Sequence, residues 1–220
     1  FPVPYETSYV TTNDEHELYI EQIGNPDGIP TIFLHGGPGS GCQNHHRNLF
    51  NLDSCRIIFL DQRGAGKSLP KRSLNNNTTR FLINDIELIR KKLNIKKWIV
   101  VGGSWGSTLG IAYAEEYNQY VNGLILRSVF LGTKPEIEWA FTNAAKLFRP
   151  ETWNSWENLV RTEDSNLAPI NFYGSRLEAE DKFVSEMAAY VWANYESILS
   201  QIESAENKIP KSFDKKYLNN

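Results

Sequence analysis

Val100-Val101-Gly102-Gly103-Ser104-Trp105-Gly106-Ser107 is the stretch best equipped for chemistry. A serine hydroxyl acts as a nucleophile when a turn projects it and nearby donors stabilise the anion it creates. Here an apolar run, Trp98 to Val101, enters Gly-x-Ser-x-Gly, and a helical pattern, Thr108 to Tyr117, follows. A serine on such a strand-to-helix turn sits in a strained, positive-φ conformation, a nucleophile elbow. Glycines at 102 and 106 remove side chains where the two backbones nearly touch. The helix start aims free N–H groups at an anion formed on Ser104. The chemistry that follows is acyl transfer through a covalent serine intermediate.

Acyl transfer needs two oxyanion donors. One is expected to be the backbone N–H of Trp105. The second is expected from the loop after the third strand, His35-Gly36-Gly37-Pro38-Gly39, where the N–H of Gly37 is the candidate. Glycines let this backbone approach a substrate carbonyl, and Pro38 stiffens it. The Gly37–Pro38 bond is a candidate for the cis form. His35, at a strand end before the glycines, reads as a structural histidine that fixes the loop. His45 and His46 are adjacent, read as solvated surface, and lack the i,i+4 spacing of a metal pair. Gly64-Ala65-Gly66-Lys67-Ser68 mimics the end of a phosphate-binding loop, but position 61 is Asp where that motif needs Gly, and Pro70 stands where its helix should begin. Asp61 and Arg63 are read instead as ties holding this loop beneath the site.

These groups need a scaffold. Tyr5 to Val10 and Glu17 to Ile23 read as strands around the turn Asn13-Asp14-Glu15. Thr31 to Leu34 and Arg56 to Leu60 read as short apolar strands buried on both faces. A polar helix is expected around His45 to Asn51. Thr78 or Thr79 caps a helix whose apolar positions, Phe81, Leu82, Ile86, Ile89 and Leu93, keep helical spacing. Val121 to Val129 is the next strand. Alternating strands and helices predict an α/β fold with a mostly parallel, doubly wound sheet, its reactive groups at the carboxyl ends of the strands. After Leu131 the pattern turns helical and aromatic: Glu136 to Leu147, Thr152 to Val160 and Arg176 to Leu199. The expected division is a core over residues 1–131 and a helical cap over 132–220, lying over the strand ends.

The chain has 220 residues, is 40% hydrophobic and carries a net charge of −3. That allows a full core and gives no reason to expect nucleic acid or an anionic membrane. No apolar run approaches the ~18 residues of a membrane span, and no secretory signal is visible. Two cysteines, Cys42 and Cys55, make neither a disulfide framework nor a zinc site, and a cytoplasmic protein with no metal is expected.

Together, His35-Gly36-Gly37-Pro38-Gly39, Asp61-Gln62-Arg63-Gly64-x-Gly66-x-Ser68 and Gly102-Gly103-Ser104-Trp105-Gly106-Ser107 resemble the proline iminopeptidases, also called prolyl aminopeptidases. The resemblance implies an α/β-hydrolase fold with a helical cap, no cofactor, and release of N-terminal proline from peptides through an acyl-enzyme. Ala188-Ala189-Tyr190-Val191-Trp192-Ala193-Asn194-Tyr195-Glu196 resembles the family's Ala-Ala-x-x-Trp-x-x-Trp-Glu stretch, with Tyr195 in place of its second tryptophan. It implies that Glu196 binds the substrate's free amino group, a task suited to a carboxylate. Oligomeric state and the preference among N-terminal residues stay open. So does the rival reading of another esterase or amidase on this scaffold, or a catalytically inactive form.

One part is missing. In α/β-hydrolases the acid and then the histidine follow the nucleophilic serine. All four histidines, His16, His35, His45 and His46, precede Ser104. Asp164, Asp181 and Asp214 follow no recognisable late strand and receive no role. The sole methionine is Met187, so the first residue is not a start codon. The expectation is that these residues are the front two-thirds of a peptidase, with the last strands of the sheet outside them.

Overall fold

The computed structural model describes residues 1–163, 166–201 and 209–210. The chain divides into two compact units, Phe1–Gly132 and Thr133–Asn220.

The first unit is built on six strands: β1 (Glu6–Thr11), β2 (Glu17–Gly24), β3 (Ile29–Leu34), β4 (Cys55–Leu60), β5 (Trp98–Gly103) and β6 (Val121–Arg127). Their order across the sheet is β1-β2-β4-β3-β5-β6. β1 and β2 pair antiparallel, as do β2 and β4, while β4, β3, β5 and β6 run parallel. The β3, β4 and β5 ends therefore open on one edge of the sheet, where β3 and β5 are direct neighbours.

Alternation along the strands builds two cores. Ile32, Leu34, Ile58 and Val100 pack with Leu82, Ile86 and Ile89 of helix α1 (Thr79–Lys92) and with Leu109 and Tyr113 of helix α2 (Trp105–Glu116). Phe33, Ile57, Phe59 and Val101, one residue out of phase, point to the other face, where Phe50 and Leu52 cover them. Each large side chain so buried is worth ~1.5–3 kcal/mol. The polar helix expected at His45 to Asn51 is a 3₁₀ segment, Asn44–Leu49, with no fully buried residue, so nothing packs it into longer regular structure. Among the described residues no strand follows β6. Leu124 (39% exposed) and Ile125 (56%) leave that edge strand partly uncovered.

The second unit is helical: α3 (Lys134–Glu138), α4 (Ala144–Phe148), α5 (Pro150–Glu163), α6 (Pro169–Leu177) and α7 (Lys182–Leu199). One helix was expected from Glu136 to Leu147, but a π-turn, Trp139–Asn143, separates α3 from α4. The single helix expected from Arg176 to Leu199 is two. It breaks because Asp181 turns its carboxylate onto the amides of Phe183 and Val184 and starts α7 afresh. The core is aromatic: Trp156 is sandwiched between Tyr195 (centroids 4.1 Å apart) and Tyr173 (4.8 Å), beside Phe172, Met187 and Val191. Asp164 and Asp214 lie outside the described residues.

Candidate active site

Ser104 stands between the end of β5 and the first residue of α2, with φ 54° and ψ −123°. A non-glycine residue at that φ is uncommon and must be held there by its surroundings. Its N–H donates to Arg127 O (3.1 Å), and its carbonyl accepts from Ser107 N (2.8 Å) and Ser107 Oγ (2.6 Å). The side chain is left exposed. The elbow's two glycines answer to hard limits. A Cβ on Gly102 would lie 2.1 Å from Gly106 O, and one on Gly106 would lie 2.1 Å from Leu34 O. Strand, turn and helix touch backbone to backbone, which is why α2 begins at Trp105 rather than at the expected Thr108.

The glycine loop after β3 runs alongside. A Cβ on Gly36 would lie 3.3 Å from Ser104 Cβ and 3.9 Å from its Oγ. Gly37, the next residue, has φ 114°, and the Gly37–Pro38 bond is cis. Gly36 O accepts from Ser40 Oγ (2.7 Å) and from the ring of His35 (2.9 Å). Ser104, Trp105 and the residue before Gly37 thus meet at the adjoining ends of β3 and β5.

His35 is fully buried and fixed at both nitrogens. Its Nε2 faces the backbone N–H of Gln62 at 3.0 Å and must accept, so Nδ1 carries the proton and donates to Gly36 O. Burial lowers its pKa and keeps it neutral. Neither nitrogen is left to serve as a base. His16 holds Asn75 O at 3.0 Å. His46 departs from the solvated reading: it is half-buried, its ring lies 4.7 Å from that of Phe33, and Nδ1 accepts from Gln43 N (3.0 Å). His45 is exposed beside it.

The loop after β4 ties the arrangement together. Asp61 accepts from Cys42 N (2.7 Å) and Lys67 N (2.8 Å), and Ser68 Oγ donates to Asp61 O (2.6 Å). The turn that resembles a phosphate loop is closed around its own carboxylate. Arg63 forks onto Asp85 (2.6 and 2.8 Å) and also reaches Asp14. Gln62 is the residue that motif reasoning missed. Its Nε2 donates to His35 O (2.9 Å) and its Oε1 accepts from the Trp105 indole (3.0 Å). The available signal was an amide side chain directly after a buried strand.

Glu196 lies in the helical unit, exposed on α7, one helical turn beyond Trp192. Partial desolvation raises its pKa, the nearby Trp192 side chain acting in the opposite direction. Among the described residues no group of three or more His, Cys, Asp or Glu could hold a metal ion, and no helix is long and apolar enough to cross a membrane. Both cysteines are free thiols.

The family model described as the alpha/beta hydrolase fold matches residues 30–161, from β3 through the elbow into the second unit. The chain belongs to that family. Within it, this chain is 39% identical over 214 residues to a proline iminopeptidase of Arabidopsis thaliana, covering 97% of this chain and 56% of the relative. It is 42% identical over 202 residues to a proline iminopeptidase of Neisseria gonorrhoeae, covering 91% and 64%. It therefore spans well under the full length of these relatives. Among solved structures it is similar in fold to an epoxide hydrolase of Vigna radiata (TM-score 0.56, 19% identity, 89% of this chain and 54% of the other). It is also similar to a proline iminopeptidase-related protein of Thermus thermophilus (TM-score 0.52, 24% identity, 82% and 58%).

Proposed function

We propose that the protein is a serine aminopeptidase that releases N-terminal proline from peptides in the cytoplasm, without a cofactor. The observation that carries this is Ser104 at positive φ between β5 and α2 with the Gly36 backbone beside it, in a chain resembling proline iminopeptidases over nearly its whole length.

Ser104 Oγ attacks the carbonyl carbon of the N-terminal prolyl residue. The amides of Gly37 and Trp105 receive the oxyanion, each donor being worth ~3 kcal/mol in the transition state. The shortened peptide leaves with a proton on its new amine, and water then hydrolyses the prolyl ester to free proline. Glu196 pairs with the secondary ammonium of the substrate. The general base that takes the Ser104 proton, and the acid that orients it, follow the nucleophile in this fold and have no counterpart among the residues assigned here.

The test uses the full-length gene product. Turnover of proline naphthylamide and labelling of Ser104 by a fluorophosphonate are expected, and Ser104→Ala should abolish both. Glu196→Gln should depress hydrolysis of the proline amide far more than that of a simple acyl ester. Equal loss on both would favour a general esterase, and an unlabelled Ser104 would favour an inactive binding protein.

A further inference from the structure

We infer that Ser107 is a positioning residue for Ser104, its hydroxyl closing a ring of hydrogen bonds around the strained backbone of the nucleophile; this rests on the reading of Ser104 as the nucleophile. Every group in the ring belongs to the first unit.

Ser104 holds φ 54°, a conformation that a serine keeps only when its surroundings fix it. Its N–H is tied at 3.1 Å to the carbonyl of Arg127, the last residue of β6. Its own carbonyl is tied to Ser107, by the amide at 2.8 Å and by Oγ at 2.6 Å. Ser107 is fully buried, and its hydroxyl has one proton to give. With that proton on Ser104 O, the oxygen is free to accept, and the backbone N–H of Phe130 donates to it at 3.1 Å. Phe130 follows Arg127 closely in the chain, and between them Ser128 also takes a positive φ, 47°. The ring is therefore closed. It runs from Ser104 N–H to Arg127 O, along the chain to Phe130 N–H, to Ser107 Oγ, and back to Ser104 O.

The neighbouring hydroxyl does a different job. Thr108 Oγ1 donates to Phe130 O, an oxygen that Ser107 Oγ approaches only at 3.4 Å. Among the described residues Thr108 Oγ1 makes no hydrogen bond to Ser104. Both hydroxyls hold Phe130 to the first turn of α2, but only that of Ser107 reaches the backbone of the nucleophile. Without it, Ser104 O keeps the Ser107 amide alone and the ring opens at one atom. The carbonyl side of Ser104 is then free to relax out of its strained conformation, and its Oγ leaves the line of attack. Reaction depends steeply on the placement of the nucleophile, whereas binding of the substrate before attack does not.

The experiment measures, on the full-length enzyme, the second-order rate at which a fluorophosphonate labels Ser104. It adds kcat and KM on proline naphthylamide, and a urea melt. Ser107→Ala should lower the labelling rate and kcat roughly tenfold, the weight of about one hydrogen bond in the transition state, and leave KM within about twofold. Thr108→Val, which releases Phe130 O alone, should leave labelling and kcat within about twofold of the wild type, whatever it does to the melt. Ser107→Cys, close in shape but a weak donor, should resemble Ser107→Ala and decides the matter if the alanine variant fails to fold. Labelling of a Ser107 variant at the wild-type rate, or a loss that falls on KM instead of kcat, would overturn the inference. So would a loss in Thr108→Val as large as that in Ser107→Ala, since the hydroxyl would then only fasten the Phe130 segment. A wild type whose Ser104 is not labelled would instead overturn the reading of Ser104 and take this inference with it.

Discussion

The indole N–H of Trp105 donates to Gln62 Oε1 at 3.0 Å, binding the first residue of α2 to the loop after β4. Through the other two bonds of Gln62, to His35 Nε2 and His35 O, that link continues to the glycine loop. Two backbone segments proposed to share one oxyanion are thus braced against a single buried amide. Gln62→Leu leaves the Trp105 indole and the His35 carbonyl without their partner. It is expected to lower stability by ~1–3 kcal/mol and to reduce kcat more than it raises KM, because oxyanion geometry matters most in the transition state. Denaturant melts and steady-state kinetics of the full-length protein check both.

Glycine substitutions separate steric need from habit. Gly106→Ala drives a Cβ to 2.1 Å from Leu34 O, a backbone atom that cannot step aside. Gly123→Ala meets nothing within 4 Å. The first should abolish soluble expression or activity. The second should be neutral or stabilising by up to ~1 kcal/mol through the unfolded state. A Gly106→Ala protein with normal melting and turnover would contradict the tight elbow.

Arg63 and Asp85 form a bidentate pair with each side chain about 3% exposed. Arg63→Leu leaves Asp85 buried beside no cation of equal reach. The expected cost is ~3–5 kcal/mol, read as a large drop in denaturation midpoint. Arg80→Leu, whose guanidinium is 67% exposed in its pair with Glu116, should cost under ~1 kcal/mol.

Acid should destabilise the first unit in two stages. His46 has its pKa lowered to about 4, first by burial and then by its neighbours His45, His35 and Arg127. His35 is also lowered, by burial. Between the unfolded value of about 6.5 and these folded values the unfolded chain binds more protons, so stability is full above that range and is lost as pH falls through it. Asp14, whose pKa Arg63 holds well below the usual carboxylate range, adds a second loss at lower pH. His46→Asn should flatten the stability profile between pH ~6.5 and ~4.5, measured by urea melts. An unchanged slope would remove His46 from the account.

Residues 1–220 expressed alone should hydrolyse proline naphthylamide at no more than the residual rate that an oxyanion hole and binding provide, ~10³–10⁴ over water. All four histidines precede Ser104, and His35 has both ring nitrogens engaged. Turnover at ordinary enzyme rates would show that a base had been overlooked among them.

Much was legible in the residues. Gly-x-Ser-x-Gly between an apolar strand and a helix reports its own turn, because only glycine permits backbones to approach as Gly102 and Gly106 do. Strand identity was equally local, since apolar runs of a few residues flanked by turn formers have few other uses. What the sequence left undecided depends on partners distant in the chain. Gln62 is an ordinary amide until folding brings β3, β4 and α2 together. His46 looks solvated until Phe33 is found beneath it, and the π-turn at Trp139–Asn143 has no local signature because the phenol of Tyr195, 54 residues away from Phe141, helps to hold it. Propensity and periodicity describe neighbours along the chain, whereas a hydrogen bond or a ring contact is fixed by neighbours in space.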